Sequence, residues 1–372
     1  MNRILAQLRV AAATFIFVLF CVSPSFAASP NDVARYLAGL PPVEGSPLTA
    51  LSNERGWKQH ANILDKAWAR LEKNQLNPIK AWSKQNIPGA RKHMLYMFSG
   101  PDFLYADAFY PNAQTYVLSA LEPVGPVPEM TKMSAGARAS ALQELRGSMQ
   151  AVLSYSFFIT KQMKTHMRGG RIVGNLPVLL VFIARAGNTI EDVEFVRLNQ
   201  DGLAVPPDVG FKGSAPGVRI AFKDEKGKSR ELYYFQTDLS NGGLKASGFR
   251  AFCDALGPAD ILVKSASYLL HNGSFSIARE YLLKRGVVLV EDASGIPLRK
   301  IPRTEWDLHP FGRYAGPISL FAGRYQKDMA QLFRKAKPHK FGIGYRFRRG
   351  ETHVLLAIKK SLKEEIAAAK KQ

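Results

Sequence analysis

The sequence predicts a mixed α/β fold: a largely antiparallel sheet with a parallel βαβ-like portion, flanked by helices, plus an N-terminal helical subregion. Three observations carry this. Four strand-sized segments follow one another at 177–184, 194–198, 218–222 and 231–235, with turn pairs at Gly187 and Asn188 and at Asp201 and Gly202. From 244 to 291 the pattern changes to helix, strand, helix, strand, the alternation of a parallel unit. Ahead of both, Trp57, Ile63, Leu64, Trp68 and Leu71 recur at helical spacing. A hydrophobic content of 46% with 22% charged residues is enough for a full core.

The elements are read in chain order. Arg3 and Arg9 precede an apolar run from Val10 to Val22, which breaks at Ser23 and Pro24. Ser25 and Ala27 then put small residues at the two positions a signal peptidase reads. Residues 1–27 are expected to be a secretory signal peptide cleaved near Ala27, giving a soluble periplasmic or secreted protein with no transmembrane anchor after cleavage. The competing reading, a membrane anchor, needs a longer apolar run. Cys253 is the one cysteine outside this segment, so no intramolecular disulfide forms. That fits a periplasmic chain whose core is large enough to stand alone. The amphipathic pattern around Cys253 reads as a buried thiol.

Residues 28–50 form a lead-in, with a short helix ending at Pro41 and Pro42. A single mixed α/β domain is expected over 51–360, its first part, 51–90, helical. Strands follow at 93–98 and 115–119, then a long helix over 135–167 stopped by Gly169 and Gly170. The four-strand meander comes next, with a polar hairpin loop at 223–230. After it come helix 244–256, strand 260–264, helix 275–285 and strand 287–291. A helix over 326–336 and two closing strands at 341–347 and 353–358 end the domain. Residues 361–372 read as a charged C-terminal tail.

The formal net charge is +21, and loss of Arg3 and Arg9 leaves +19. Such an excess attracts polyanions. An anionic envelope component or an acidic glycan is the expected partner. A specific nucleic-acid partner is not, because no basic repeat or recognition module is present. The seven histidines are scattered, no metal-ligand spacing occurs, and no cofactor or metal is implied. Serine-hydrolase signatures are missing. Gly227, Lys228 and Ser229 mimic the end of a phosphate loop, but they join two strands and read as a hairpin tip.

Four groups remain. Ser99, Asp102 and Asp107 follow a core strand, where two carboxylates can share a proton or hold a cation; the bland reading is a helix cap and an arginine pair. Thr237, Asp238, Ser240 and Asn241 stand between a strand and a helix, competing with ordinary N-capping. Lys264, Ser265, Ser267 and His271 offer a nucleophile and base, although Ser267 and His271 on one helix make an unusual pair. Finally, Gly-Arg-Tyr occurs twice, with Arg313 and Tyr314 and again with Arg324 and Tyr325, near His309. Arginine offers a fork for carboxylate or phosphate, and tyrosine a stacking face.

The chain is therefore expected to be an exported basic protein that binds an anionic partner through its Arg/aromatic-rich C-terminal third. The ligand-binding residues on this reading are Asp238, Asn241, Arg313, Tyr314, Arg324 and Tyr325. The alternative is a periplasmic hydrolase acting on an anionic substrate, with Asp102 or Asp107 and His309 moving protons. Convergence of Asp102, Asp238, His309 and Arg313 on one cleft would favour the enzyme.

Overall fold

The computed structural model describes residues 28–89, 91–155, 157, 170–348 and 350–369. Ten strands form one mixed sheet. They are β1 (His93–Met97), β2 (Thr115–Ala120), β3 (Thr189–Leu198), β4 (Ala204–Val205), β5 (Pro216–Lys223), β6 (Ser229–Gln236), β7 (Ala259–Val263), β8 (Gly286–Glu291), β9 (Trp306–Gly312) and β10 (His353–Lys359). The order is β4-β3-β5-β6-β2-β1-β7-β8-β10-β9. The centre, β6-β2-β1-β7-β8, is parallel, and both wings are antiparallel. The expected mixture is present.

Side chains alternate across the central strands into two cores. Met94, Tyr96, Tyr116 and Leu118 enter one. Leu95, Met97, Val117, Ile261 and Val263 enter the other. Strands covered on both faces need near-continuous apolar runs, and β1, β2, β7 and β8 have them. The first face carries α1 (Pro30–Leu37), α2 (Arg55–Leu71), α3 (Asn77–Asn86), α4 (Phe103–Phe109), α5 (Ala135–Tyr155) and α6 (Leu176–Arg185). The second carries α7 (Asn241–Ala246), α8 (Phe249–Leu256), α9 (Ser276–Arg285) and α10 (Lys327–Leu332). A last helix, α11 (Lys360–Ala369), follows β10. Among the described residues, no helix is long and apolar enough to cross a membrane.

Several boundaries correct the sequence reading. The apolar run at 177–184 is a helix, α6, not a strand. Its residues are apolar all round because it is buried all round, and a run that short carries no period to tell helix from strand. Pro177 sits in its first turn, where a missing N–H costs nothing. No strand forms at 341–347, a segment of turns with Gly344 at φ +69°. The closing edge is β9 instead, which tolerates Pro310 because an edge strand leaves one side unpaired. The expected helix 244–256 is two helices, broken at Ser247 and Gly248, the latter at φ +76°. Helix 135–167 is α5 as far as Tyr155, and its expected end and the stop at Gly169 lie outside the described residues.

From β1 the chain moves to β2 on one side, whereas β7 and β8 lie on the other. Neighbouring parallel strands whose connections depart in opposite directions leave a crevice at their C-terminal ends.

Candidate functional site

A cavity of about 210 Å³ occupies that crevice. Four strands feed it: Phe98 to Asp102 after β1, Leu121 and Glu122 after β2, Thr237 to Leu239 after β6, and Lys264 to Ser267 after β7.

The floor is an ion pair. Asp102 caps α4, its Oδ1 accepting from the Tyr105 N–H at 3.3 Å. Lys264 Nζ lies 2.8 Å from Asp102 Oδ2, and both side chains are 1% exposed. The Tyr96 hydroxyl donates to the same oxygen at 3.0 Å, and the Lys264 ammonium stands 4.0 Å from the centre of the Tyr105 ring. Burial, and then the Asp102 charge, push the Tyr96 hydroxyl well above the usual phenol range. Behind Lys264, Asp292 accepts from the Ser265 and Ser294 N–H groups at 3.2 Å each. Burial raises its carboxyl, against the opposing pull of Ser294, Ser265 and Lys264.

The backbone around this floor is strained. Among the described residues, non-glycine positions in the left-handed region are Phe98 (φ +62°), Ser265 (+54°), Ser267 (+51°) and Tyr268 (+55°). The first three line the cavity and the fourth follows directly. Each such residue costs roughly 1–3 kcal/mol and persists only where its surroundings over-determine it. Here they do. The Tyr345 hydroxyl donates to Ser265 O and pairs with Ser267 Oγ, both at 2.9 Å, and Ala266 N donates to Ser294 Oγ at 2.8 Å.

Two hydroxyls in the wall, Thr237 Oγ1 and Ser265 Oγ, are buried with no hydrogen-bond partner among the described residues. Thr237 is 5% exposed. Phe98, Phe157 and Phe275 supply aromatic wall, with Phe98 and Phe275 ring centres 5.9 Å apart. Glu122 and Asp238 complete the polar lining; Asp238 accepts from Ser240 N at 2.8 Å and Ser240 Oγ at 2.7 Å.

The sequence-derived residues divide sharply. Asp102 and Asp238 line the cavity together with Ser99, Thr237, Lys264, Ser265 and Ser267. Asn241 does not line it. Its amide donates to Gly273 O and Ser276 Oγ, and its Oδ1 accepts from Ile277 N, which pins α7 to α9. Asp107 belongs to a separate network with Arg230 at 3.5 Å, Lys80 at 3.8 Å and the Tyr116 hydroxyl at 3.2 Å. It lines no part of the cavity, so it shares no proton there with Asp102.

His309 lies on edge strand β9, opposite Leu356 of β10, and Arg313 is exposed beyond it. Tyr314 is buried; its hydroxyl accepts from Gln326 N at 2.9 Å, and its ring packs on Phe333 and His353. Arg324 donates to Asn272 Oδ1, and Tyr325 is 56% exposed. None of these five lines the cavity, so the expected convergence of Asp102, Asp238, His309 and Arg313 holds only for the two aspartates. Ser267 is engaged by Tyr345 and forms no pair with His271, whose imidazole burial lowers to about pKa 4. Residues 227–229 are a hairpin tip between β5 and β6. Cys253 is buried, and burial raises its thiol far above the reactive range.

Sequence reasoning missed Tyr96, Glu122, Phe157, Phe275 and Tyr345. Glu122 alone carried a usable signal, as a charged residue just past a core strand. Among the described residues no group of three or more His, Cys, Asp or Glu is arranged to hold a metal. No known protein family, curated protein or solved structure matches this chain.

Proposed function

We propose that the chain is an exported binding protein that takes a small, partly apolar ligand into the cavity at the ends of β6, β2, β1 and β7. The carrying observation is the coincidence of strain and unused hydrogen bonding. Left-handed non-glycine backbone is concentrated at this one cavity, beside two buried hydroxyls with no partner. A fold bears such costs where a ligand recovers them. The volume is below the range of about 300–1,000 Å³ typical of drug-sized ligands, so one ring or a short chain fits.

Binding is favoured over hydrolysis by the surroundings of Ser265. It sits on a strained turn after a strand, as a nucleophile would, but among the described residues no base reaches its Oγ. Lys264, its neighbour, is held by Asp102. The N-terminal charge and apolar layout supports an envelope address, where the +19 surface adds diffuse attraction to polyanions.

The test removes the unused hydroxyls. Thr237→Val and Ser265→Ala delete groups that gain nothing in the empty protein, so stability should hold or rise by about 1 kcal/mol. Both should weaken every ligand found by NMR screening of monosaccharides, amino acids and small amines. Hits that map around Arg313 and Arg324 and ignore Thr237→Val would overturn the proposal.

A further inference from the structure

Among the described residues, Arg138, Arg230, Lys264 and Arg279 are the lysines and arginines no more than 8% exposed. Glu54 pairs with the first, Asp107 and Asp224 with the second, and Asp102 with the third. Arg279, on α9, forms no ion pair with a described residue, and its hydrogen bond runs from Nη1 to Leu270 O at 2.8 Å. Every Asp and Glu of the chain lies among the described residues, so no other side chain supplies the missing carboxylate. A guanidinium does not shed its proton in a protein, so burial leaves a full positive charge without a counter-charge.

Two more arginines gather at the same turn. Arg324 donates from Nη2 to Asn272 Oδ1 at 2.9 Å, two residues from the carbonyl that Arg279 uses. Leu298 N donates to Gln326 Oε1 at 2.9 Å, which sets Arg299 beside the Arg324 segment. Neither Arg299 nor Arg324 has an ion pair among the described residues, and both are exposed, so the cluster opens to solvent. His271 lies within it. Burial, and then the charges of Arg324, Arg299 and Arg279, hold its imidazole down to about 4 against the pull of the Ala293 carbonyl.

We infer that Arg279, Arg299, Arg324 and His271 form a second site that binds a tetrahedral oxyanion, a phosphate or sulfate group. It is separate from the cavity, which none of the four lines. Guanidinium forks match the oxygens of such an anion, and three of them call for more than one negative charge. The neutral imidazole adds one N–H donor. A zwitterionic amino acid suits the site poorly, because the same arginines repel its ammonium. Two sources share the chemistry, the free ion and a monoester.

The experiment is calorimetric titration of the full chain with phosphate, sulfate, phenyl phosphate and acetate at one ionic strength. Phosphate or sulfate should bind at least about tenfold more tightly than acetate. Arg299→Gln and Arg324→Gln should each weaken that binding about tenfold, and Arg279→Met should abolish it. Phosphate should raise the melting temperature of the parent chain and leave that of Arg279→Met unchanged. Arg313→Gln, at an exposed arginine outside the cluster, and Thr237→Val should change nothing. If Arg279→Met does not fold, the two exposed-arginine variants decide. Phenyl phosphate ahead of phosphate identifies a monoester; equal or weaker binding identifies the free ion. No oxyanion binding, no preference over acetate, or equal losses in Arg313→Gln and Arg324→Gln overturns the site and leaves only diffuse attraction. A matching loss in Thr237→Val overturns its separation from the cavity.

Discussion

Asp102 and Asp107 lie five residues apart at the two ends of one short helix, and both are buried against a cation from another strand. Around Asp107, Phe103, Tyr116 and Phe222 pack edge to face, and Tyr116 and Arg230 close the network. Around Asp102 the packing stops at a cavity, the backbone turns left-handed, and two hydroxyls stay unused. The chemistry of the two carboxylates is nearly the same, and what differs is the unspent capacity beside them. A buried ion pair alone is a poor marker of function, because it serves folding equally well.

The comparison has a measurable edge. Lys264→Met leaves Asp102 buried without its cation and should cost about 3–5 kcal/mol in urea unfolding. Arg230→Met should cost less, about 1–3 kcal/mol, because Lys80 still faces Asp107 at 3.8 Å. Equal losses would mean that the two networks are energetically alike and that the cavity does not isolate Asp102.

Strand β7 extends the contrast along its own length. Lys264 follows its C-terminal end, and Asp260 lies near its start, 2% exposed, accepting from Arg91 N at 3.3 Å with its other oxygen unpartnered among the described residues. Burial raises the Asp260 carboxyl to about 7, against the weaker pull of the Arg91 N–H and charge. The folded protein therefore keeps this proton up to about pH 7, whereas the unfolded chain loses it near 3.8. The contribution to stability is present at acid pH, is lost as pH rises through that window, and is constant above it. Asp260→Asn should accordingly raise stability by about 1–3 kcal/mol at pH 8 and leave it nearly unchanged below pH 4, read by calorimetric melting. Destabilisation at pH 8 would show that Asp260 is ionised and held by a cation.

Much of this was legible in the chain, and the misses have physical causes. Strand ends pointed to Asp102, Asp238, Lys264 and Ser265 because a parallel sheet collects its strand ends at one edge. The rim residues Phe157 and Phe275 are brought there by tertiary packing, which leaves no local pattern. The run at 177–184 was misread because a fully buried helix and a fully buried strand look alike over eight residues. The doubled Gly-Arg-Tyr stands away from the cavity for another reason. Residue type states what a side chain can do but not where its neighbours leave it, and Tyr314 is spent on Gln326 inside the second core.

That segment carries the smallest expected effect. Gly312 takes φ +86°, and a Cβ there would meet Thr352 O at 2.2 Å; Arg313 N donates to the same carbonyl at 2.9 Å. The backbone and Tyr314 hold the segment, and the exposed Arg313 side chain adds little. Arg313→Ala should change stability by no more than about 0.5 kcal/mol, the range for surface substitutions. It should leave the affinity of any ligand that Thr237→Val weakens intact and only slightly weaken retention on an anionic resin, where one charge of many is lost. Tyr314→Phe, by contrast, strands the buried Gln326 N–H and should cost about 1–3 kcal/mol. If Arg313→Ala abolished binding of the probes that Thr237→Val weakens, the arginine would reach the ligand after all. The division between a working cavity and a structural segment at 312–314 would then fall.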